Sequence, residues 1–147
     1  MRPILAAAAL AALVLAPSAY AQQAPAQPAP AAPRTAAAPM FSANLPDAPG
    51  KQLVVVNLTF PPAGGKPNPH RHPGSVWVYV TKGEARLGVE GQPPKVVKAG
   101  ESWFEPFGAV HNVSESTSST EPAAGFAVML VPDGAPLVLP ADAHAGH

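Results

Sequence analysis

Apolar side chains along this chain recur at every second position, over short stretches separated by turns. Val54, Val56, Leu58 and Phe60 share one parity and are interleaved with Asn57 and Thr59, the pattern of a strand with one buried face. Pro61-Pro62-Ala63-Gly64-Gly65 ends that run. Ser75 to Thr81 is β-branched and aromatic and predicts a second strand. Lys82-Gly83 turns the chain into Glu84 to Glu90, a partly alternating run that makes a hairpin partner. Gly91-Gln92-Pro93-Pro94 leads to a short strand over Lys95 to Lys98, and Ala99-Gly100-Glu101 turns again. Ser102 to Glu105 and His111 to Glu115 flank a Pro106-Phe107-Gly108 corner. Ser116 to Pro122 is a polar loop, and Gly125 to Val131 is apolar enough for a central strand. Leu137 to Leu139 reads as an edge strand. No stretch has a helical period. Short strands at near-regular spacing predict an all-β sandwich or barrel, and residues 51–139 suffice for one small core.

The ends of the chain read differently. Met1-Arg2, the uncharged run Ile4 to Ala16, the break at Pro17-Ser18 and the small residues of Ala19-Tyr20-Ala21 form an export signal, expected over residues 1–21. That run is too short to span a bilayer. Cleavage after Ala21 would leave a near-neutral protein with no membrane span, in the periplasm or outside the cell. Residues 22–50 are Ala, Pro and Gln with single polar residues and seven prolines between Pro25 and Pro49. Proline neither continues a helix nor donates to a sheet, so this stretch is expected to be a disordered linker outside the fold. Residues 140–147 are expected to be a flexible tail carrying His144 and His147. The 21 prolines and 12 glycines belong partly to these ends, so they do not argue against a folded domain.

Charge removes some function classes. Formal net charge is zero and charged residues make up 12% of the chain, so there is no basic patch for nucleic acid. There is no cysteine, which excludes disulfides, thiolate metal sites and cysteine nucleophiles.

The chemistry concentrates between His70 and His111. Residues two apart on a strand face the same way, so His70 and His72 can bind one ion while Arg71 points away and reads as a surface residue. His111 follows the Pro-x-Gly corner and can supply a third nitrogen. Three imidazoles suit a borderline divalent ion such as Fe, Mn, Zn, Ni or Cu. Three protein ligands leave positions open for water or substrate, as at catalytic sites.

These residues resemble the two motifs of the cupin superfamily. Gly64, His70, His72 and Gly83 match the first, and Gly100, Pro106, Gly108 and His111 match the second. The 16 residues between Gly83 and Gly100 resemble the short spacing of small bacterial cupins. The resemblance implies a jelly-roll barrel of two antiparallel sheets with six to eight strands, a metal inside the barrel, and a homodimer paired through sheet edges. Two positions depart from the pattern. Val76 stands where the family has a glutamate ligand, and Glu115 stands at the family's final asparagine. The remaining set, His70, His72 and His111, resembles that of thiol dioxygenases and diketone-cleaving dioxygenases, which favours iron. A neutral triad leaves the full charge on the ion and so favours an anionic ligand.

Glu105, one residue before the corner, is the nearest replacement carboxylate. Val76, Val78 and Val80 share the histidine-facing parity and are expected to line an apolar pocket. Trp77 and Tyr79 have the opposite parity and are expected to pack between sheets or subunits. Asn112 and Glu115 read as strand-end polar groups. Three functions follow from these readings: an Fe(II) dioxygenase acting on a small anionic molecule, a metal- or ligand-binding module without catalysis, and a sugar or keto-acid isomerase. The last needs an inward-facing base that the sequence does not clearly provide.

Overall fold

A computed structural model describes residues 34–65 and 68–143. The expected export signal, His144 and His147 lie outside these residues. Among the described residues there is no helix, and hence none long and apolar enough to cross a membrane. Ten strands run in chain order: β1 Ala36–Asn44, β2 Lys51–Phe60, β3 His70–Arg71, β4 Ser75–Lys82, β5 Glu84–Val89, β6 Lys95–Lys98, β7 Ser102–Glu105, β8 His111–Ser116, β9 Ala123–Pro132 and β10 Leu139–Pro140. They form two antiparallel five-stranded sheets, β1-β2-β9-β4-β7 and β10-β3-β8-β5-β6. This is the all-β jelly roll expected from the alternation and the turns.

The alternating residues become the core. Val54, Val56 and Phe60 of β2, Val76, Val78 and Val80 of β4, and Ala127, Met129 and Val131 of β9 point inward from the first sheet. Ala85 and Leu87 of β5 and Val97 of β6 meet them from the second. Their removal from water is the main force holding the two sheets together. Gly74 marks where the chain entering β4 presses on β9. A Cβ there would lie 1.8 Å from the Leu130 carbonyl oxygen, so only glycine fits.

Two expectations are corrected. Residues 36–44 were expected in the linker, but they form β1 and pair with β2 from Ala36↔Thr59 to Asn44↔Gln52. Proline count misled because an edge strand tolerates proline, particularly at a bulge. Pro39 sits where the register shifts, between Pro39 and Phe41. Side chains of β1 are almost all exposed, so no apolar period announces it. The late edge strand lies at Leu139–Pro140, slightly beyond Leu137 to Leu139, and brings Pro140 into a sheet. With β1 and the two short strands β3 and β10, the count rises above six to eight.

Candidate metal centre

His70 opens β3 and pairs directly with His111, the first residue of β8. Opposed residues of an antiparallel pair project to the same side, so one ladder step brings these two imidazoles together. His72 follows just past the end of β3. The Pro106-Phe107-Gly108 corner aims His111 inward, and Gly108 takes a φ of 75° there, a conformation glycine adopts without strain. Ring centroids are 4.9 Å apart for His70 and His72, 5.1 Å for His70 and His111, and 6.4 Å for His72 and His111. One ring nitrogen from each lies within 4.8 Å of the others.

Backbone carbonyls fix all three tautomers. His70 Nδ1 lies 2.8 Å from Asn68 O, His72 Nδ1 lies 2.6 Å from Leu137 O, and His111 Nε2 lies 2.9 Å from Val113 O. A carbonyl only accepts, so each of these nitrogens carries the hydrogen and donates it. The opposite nitrogens, His70 Nε2, His72 Nε2 and His111 Nδ1, keep their lone pairs. Metal-binding histidines are characteristically held this way, with the non-ligating N–H on an acceptor.

Two of the three rings are also kept uncharged. Burial, aided by the neighbouring His70, lowers the His72 pKa to about 4 against the pull of the Leu137 carbonyl. Burial, then His70 and His72, lowers that of His111 to about 3. Both rings are neutral, and therefore able to ligate, throughout the physiological range.

Glu105 ends β7 opposite Val76 on β4. It is 1% exposed. Its Oε2 lies 3.3 Å from His111 Nδ1 and 3.8 Å from His72 Nε2, and its Oε1 has no hydrogen-bond partner. Burial raises its pKa to about 8. At neutral pH these contacts join a neutral acid to neutral imidazoles, so they are not ion pairs. Trp103, two residues back on the same face, stands with its ring centroid 5.2 Å from that of His111.

The histidines line a cavity of about 310 Å³ with a mainly aliphatic wall. Val56, Val76, Val78, Ala127, Met129 and Leu137 contribute to it, beside Glu105. Val76 and Val78 thus stand where the parity put them, whereas Val80 is in the core outside this lining. Near Thr35 and Ala37 at the start of β1, Arg86 pairs with Glu115, which also accepts the Gly64 N–H at 3.1 Å. Two sequence readings change here. Arg71 is not a simple surface residue: its guanidinium donates to the Ala141 and Gly108 carbonyls. Trp77 and Tyr79 do not pack between the sheets. They lie on the outer face, clustered with Phe126 at centroid separations of 5.4 to 5.9 Å. Sequence reading also missed the Val76–Glu105 pairing, which depends on the register of two strands about 30 residues apart.

The residues fit a divalent transition ion: three lone-pair nitrogens lie within 4.8 Å of one another, and the buried Glu105 carboxyl approaches two of them through Oε2 while its Oε1 has no partner. Comparison with known proteins agrees with the architecture. The chain resembles an uncharacterised conserved protein with a double-stranded β-helix domain from Klebsiella pneumoniae, at 23% identity and a TM-score of 0.55, over 78% of this chain and 89% of that one. It resembles a cupin domain from Bordetella pertussis Tohama I at 25% identity and a TM-score of 0.50, over 67% and 95%. It also resembles the DMSP lyase DddQ from Ruegeria pomeroyi DSS-3 at 21% identity and a TM-score of 0.51, covering 63% of this chain but only 45% of the lyase. No curated protein matches the chain. The cupin domain family model matches residues 56–129, half of the chain, and the protein belongs to that family.

Proposed function

We propose that this protein is an exported cupin that binds one divalent transition metal, iron by preference, through His70, His72 and His111. We further propose that it acts as a dioxygenase-type enzyme on a small anionic molecule. The observation that carries this reading is the set of three lone-pair nitrogens, each fixed by a backbone carbonyl, in an apolar cavity. An ion there would supply Lewis acidity and, where it is iron, one-electron chemistry with dioxygen. The chain's own residues do the rest. The histidines hold one side of the site, so a ligand must approach from the other. Val56, Val78, Ala127 and Met129 offer an aliphatic surface to the ligand's body and exclude water from it. Anionic character is favoured because the imidazoles cancel none of the ion's charge.

A second reading, a binding or sensing module, rests on how few bases the cavity offers: of its two carboxylates, Glu115 is engaged by Arg86 and the Gly64 N–H, which leaves Glu105. The same fact weighs against an isomerase. The homodimer implied by family resemblance is proposed as well, with the exposed aromatic face of the first sheet, rather than the expected sheet edges, as its contact.

Metal analysis of protein extracted from the periplasm, with intact mass beginning at Gln22, tests export and metal together. The expected result is one equivalent per chain, lost in His111→Ala. Oxygen uptake by the Fe(II)-loaded protein against thiols and diketones then separates enzyme from carrier. No uptake with any of them favours the binding module.

A further inference from the structure

We propose that Glu105 is a metal ligand of this centre, taking from β7 the place that the absent glutamate at position 76 leaves on β4. The proposal rests on metal binding by the three histidines and adds a fourth protein ligand to it.

Register is the first argument. Val76 and Glu105 are directly opposed in the β4–β7 ladder, and opposed residues have their Cβ atoms about 5 Å apart on the same face. A glutamate side chain spans that offset, so a carboxylate starting at 105 reaches the region that one starting at 76 would reach. The valine at 76 leaves room for it. Val76 is itself buried and lines the same cavity.

Hydrogen-bond accounting is the second. The two nitrogens nearest Glu105 Oε2, His72 Nε2 and His111 Nδ1, both carry lone pairs, because their partner nitrogens donate to Leu137 O and Val113 O. Two acceptors therefore face a carboxyl whose other oxygen has no partner. Buried polar atoms are rarely left so. Even a protonated carboxyl has one O–H for two facing lone pairs and still leaves Oε1 bare, whereas a single cation among the three side chains can be shared by all of them. A structural carboxylate would instead be expected against an arginine, a lysine or backbone N–H groups. The nearby arginines are used elsewhere, Arg71 on carbonyls and Arg86 on Glu115.

The set becomes three histidines and one carboxylate, and the charge left on the ion falls by one unit. An anionic ligand is still attracted, less strongly than by a neutral triad.

The test uses Co(II) or Zn(II) alone as the probe, with the chelator-treated full chain. Wild type is expected to bind one equivalent, and Glu105→Gln to bind at least 10-fold more weakly, with an altered Co(II) absorption spectrum. The double variant Val76→Glu/Glu105→Val is expected to regain tight binding with a spectrum close to wild type, since it moves the carboxylate across one ladder step. Unchanged affinity and spectrum in Glu105→Gln would overturn the proposal, as would weaker binding with an unchanged spectrum, which marks a positioning residue. A double variant no tighter than Glu105→Gln would overturn the equivalence of the two positions. Failure of the underlying reading looks different: wild type and His111→Ala would then both bind no metal. Circular dichroism and the thermal midpoint of each metal-free variant guard against misfolding, and Glu105→Gln is expected to keep the wild-type fold.

Discussion

Each imidazole of the centre has its hydrogen placed by a main-chain oxygen, so the site is preorganised before any ion arrives. The buried groups also make the metal-free protein sensitive to pH. His72 and His111 have folded pKa values below that of a free histidine, at about 4 and about 3. Below pH 6.5 the unfolded chain takes up protons that the folded one refuses, so stability is lost as pH falls toward those values. Glu105 is the opposite case, raised to about 8. Its contribution is complete below the unfolded value of 4.5 and is lost as pH rises through 8. Two histidines outweigh one glutamate between pH 4.5 and 6.5, and above 6.5 only the glutamate acts. Urea unfolding of chelator-treated protein should therefore give maximal stability near pH 6.5, falling by about 2 kcal/mol toward pH 4.5 and by a similar amount toward pH 8.5. A profile flat across that range would show that these groups are not buried as described.

At the scale of elements, the sequence exposed strands whose side chains alternate and hid strands held mainly by backbone. β2 and β4 were legible because their inward valines and phenylalanine recur at every second position, and β9 because it is apolar throughout. β1 was not, because both its faces are nearly free and its backbone ladder runs to β2 alone. The three histidines were legible from spacing alone. Glu105 as the partner of Val76 was not, since strand register is set by turns and core packing together. The strand β1 buries little apolar side-chain surface, so a mature chain that begins at Leu45 should still fold, with a thermal midpoint lower by a few degrees. It should also bare the Leu53-Val54-Val55-Val56 edge of β2, a template for pairing with other chains. Light scattering on heating should rise earlier in the truncated protein than in the full chain. If the truncated chain does not fold, β1 contributes more than its exposure suggests. Thr35, bonded to the Ser114 carbonyl at 2.8 Å and hydroxyl at 2.9 Å, is the residue to examine next.

For the whole molecule, the outer face of the first sheet carries a row of exposed aromatic side chains. One ladder row crosses all five strands as Phe41, Val55, Val128, Trp77 and Phe104, and Phe41, Trp77 and Phe104 are exposed. Exposed apolar patches on this scale commonly mark association sites. If a second copy covers this one, sedimentation velocity should give a dimer for the wild type and a monomer for Trp77→Arg, with metal content unchanged. A monomeric wild type at tens of micromolar would leave the face to another partner. The C-terminal segment is tied to the molecule differently. Its Leu137 carbonyl holds the His72 ring, and Arg71 next door grips the Ala141 carbonyl. The tie that sets the tautomer of one ligand thus also anchors the end of the described chain, and linkage makes such a tie work in both directions. Filling the centre should make the segment after Pro132 slower to be clipped by protease. Cutting it away should loosen the grip on the ion, so that this segment latches the centre whose ligand it steadies.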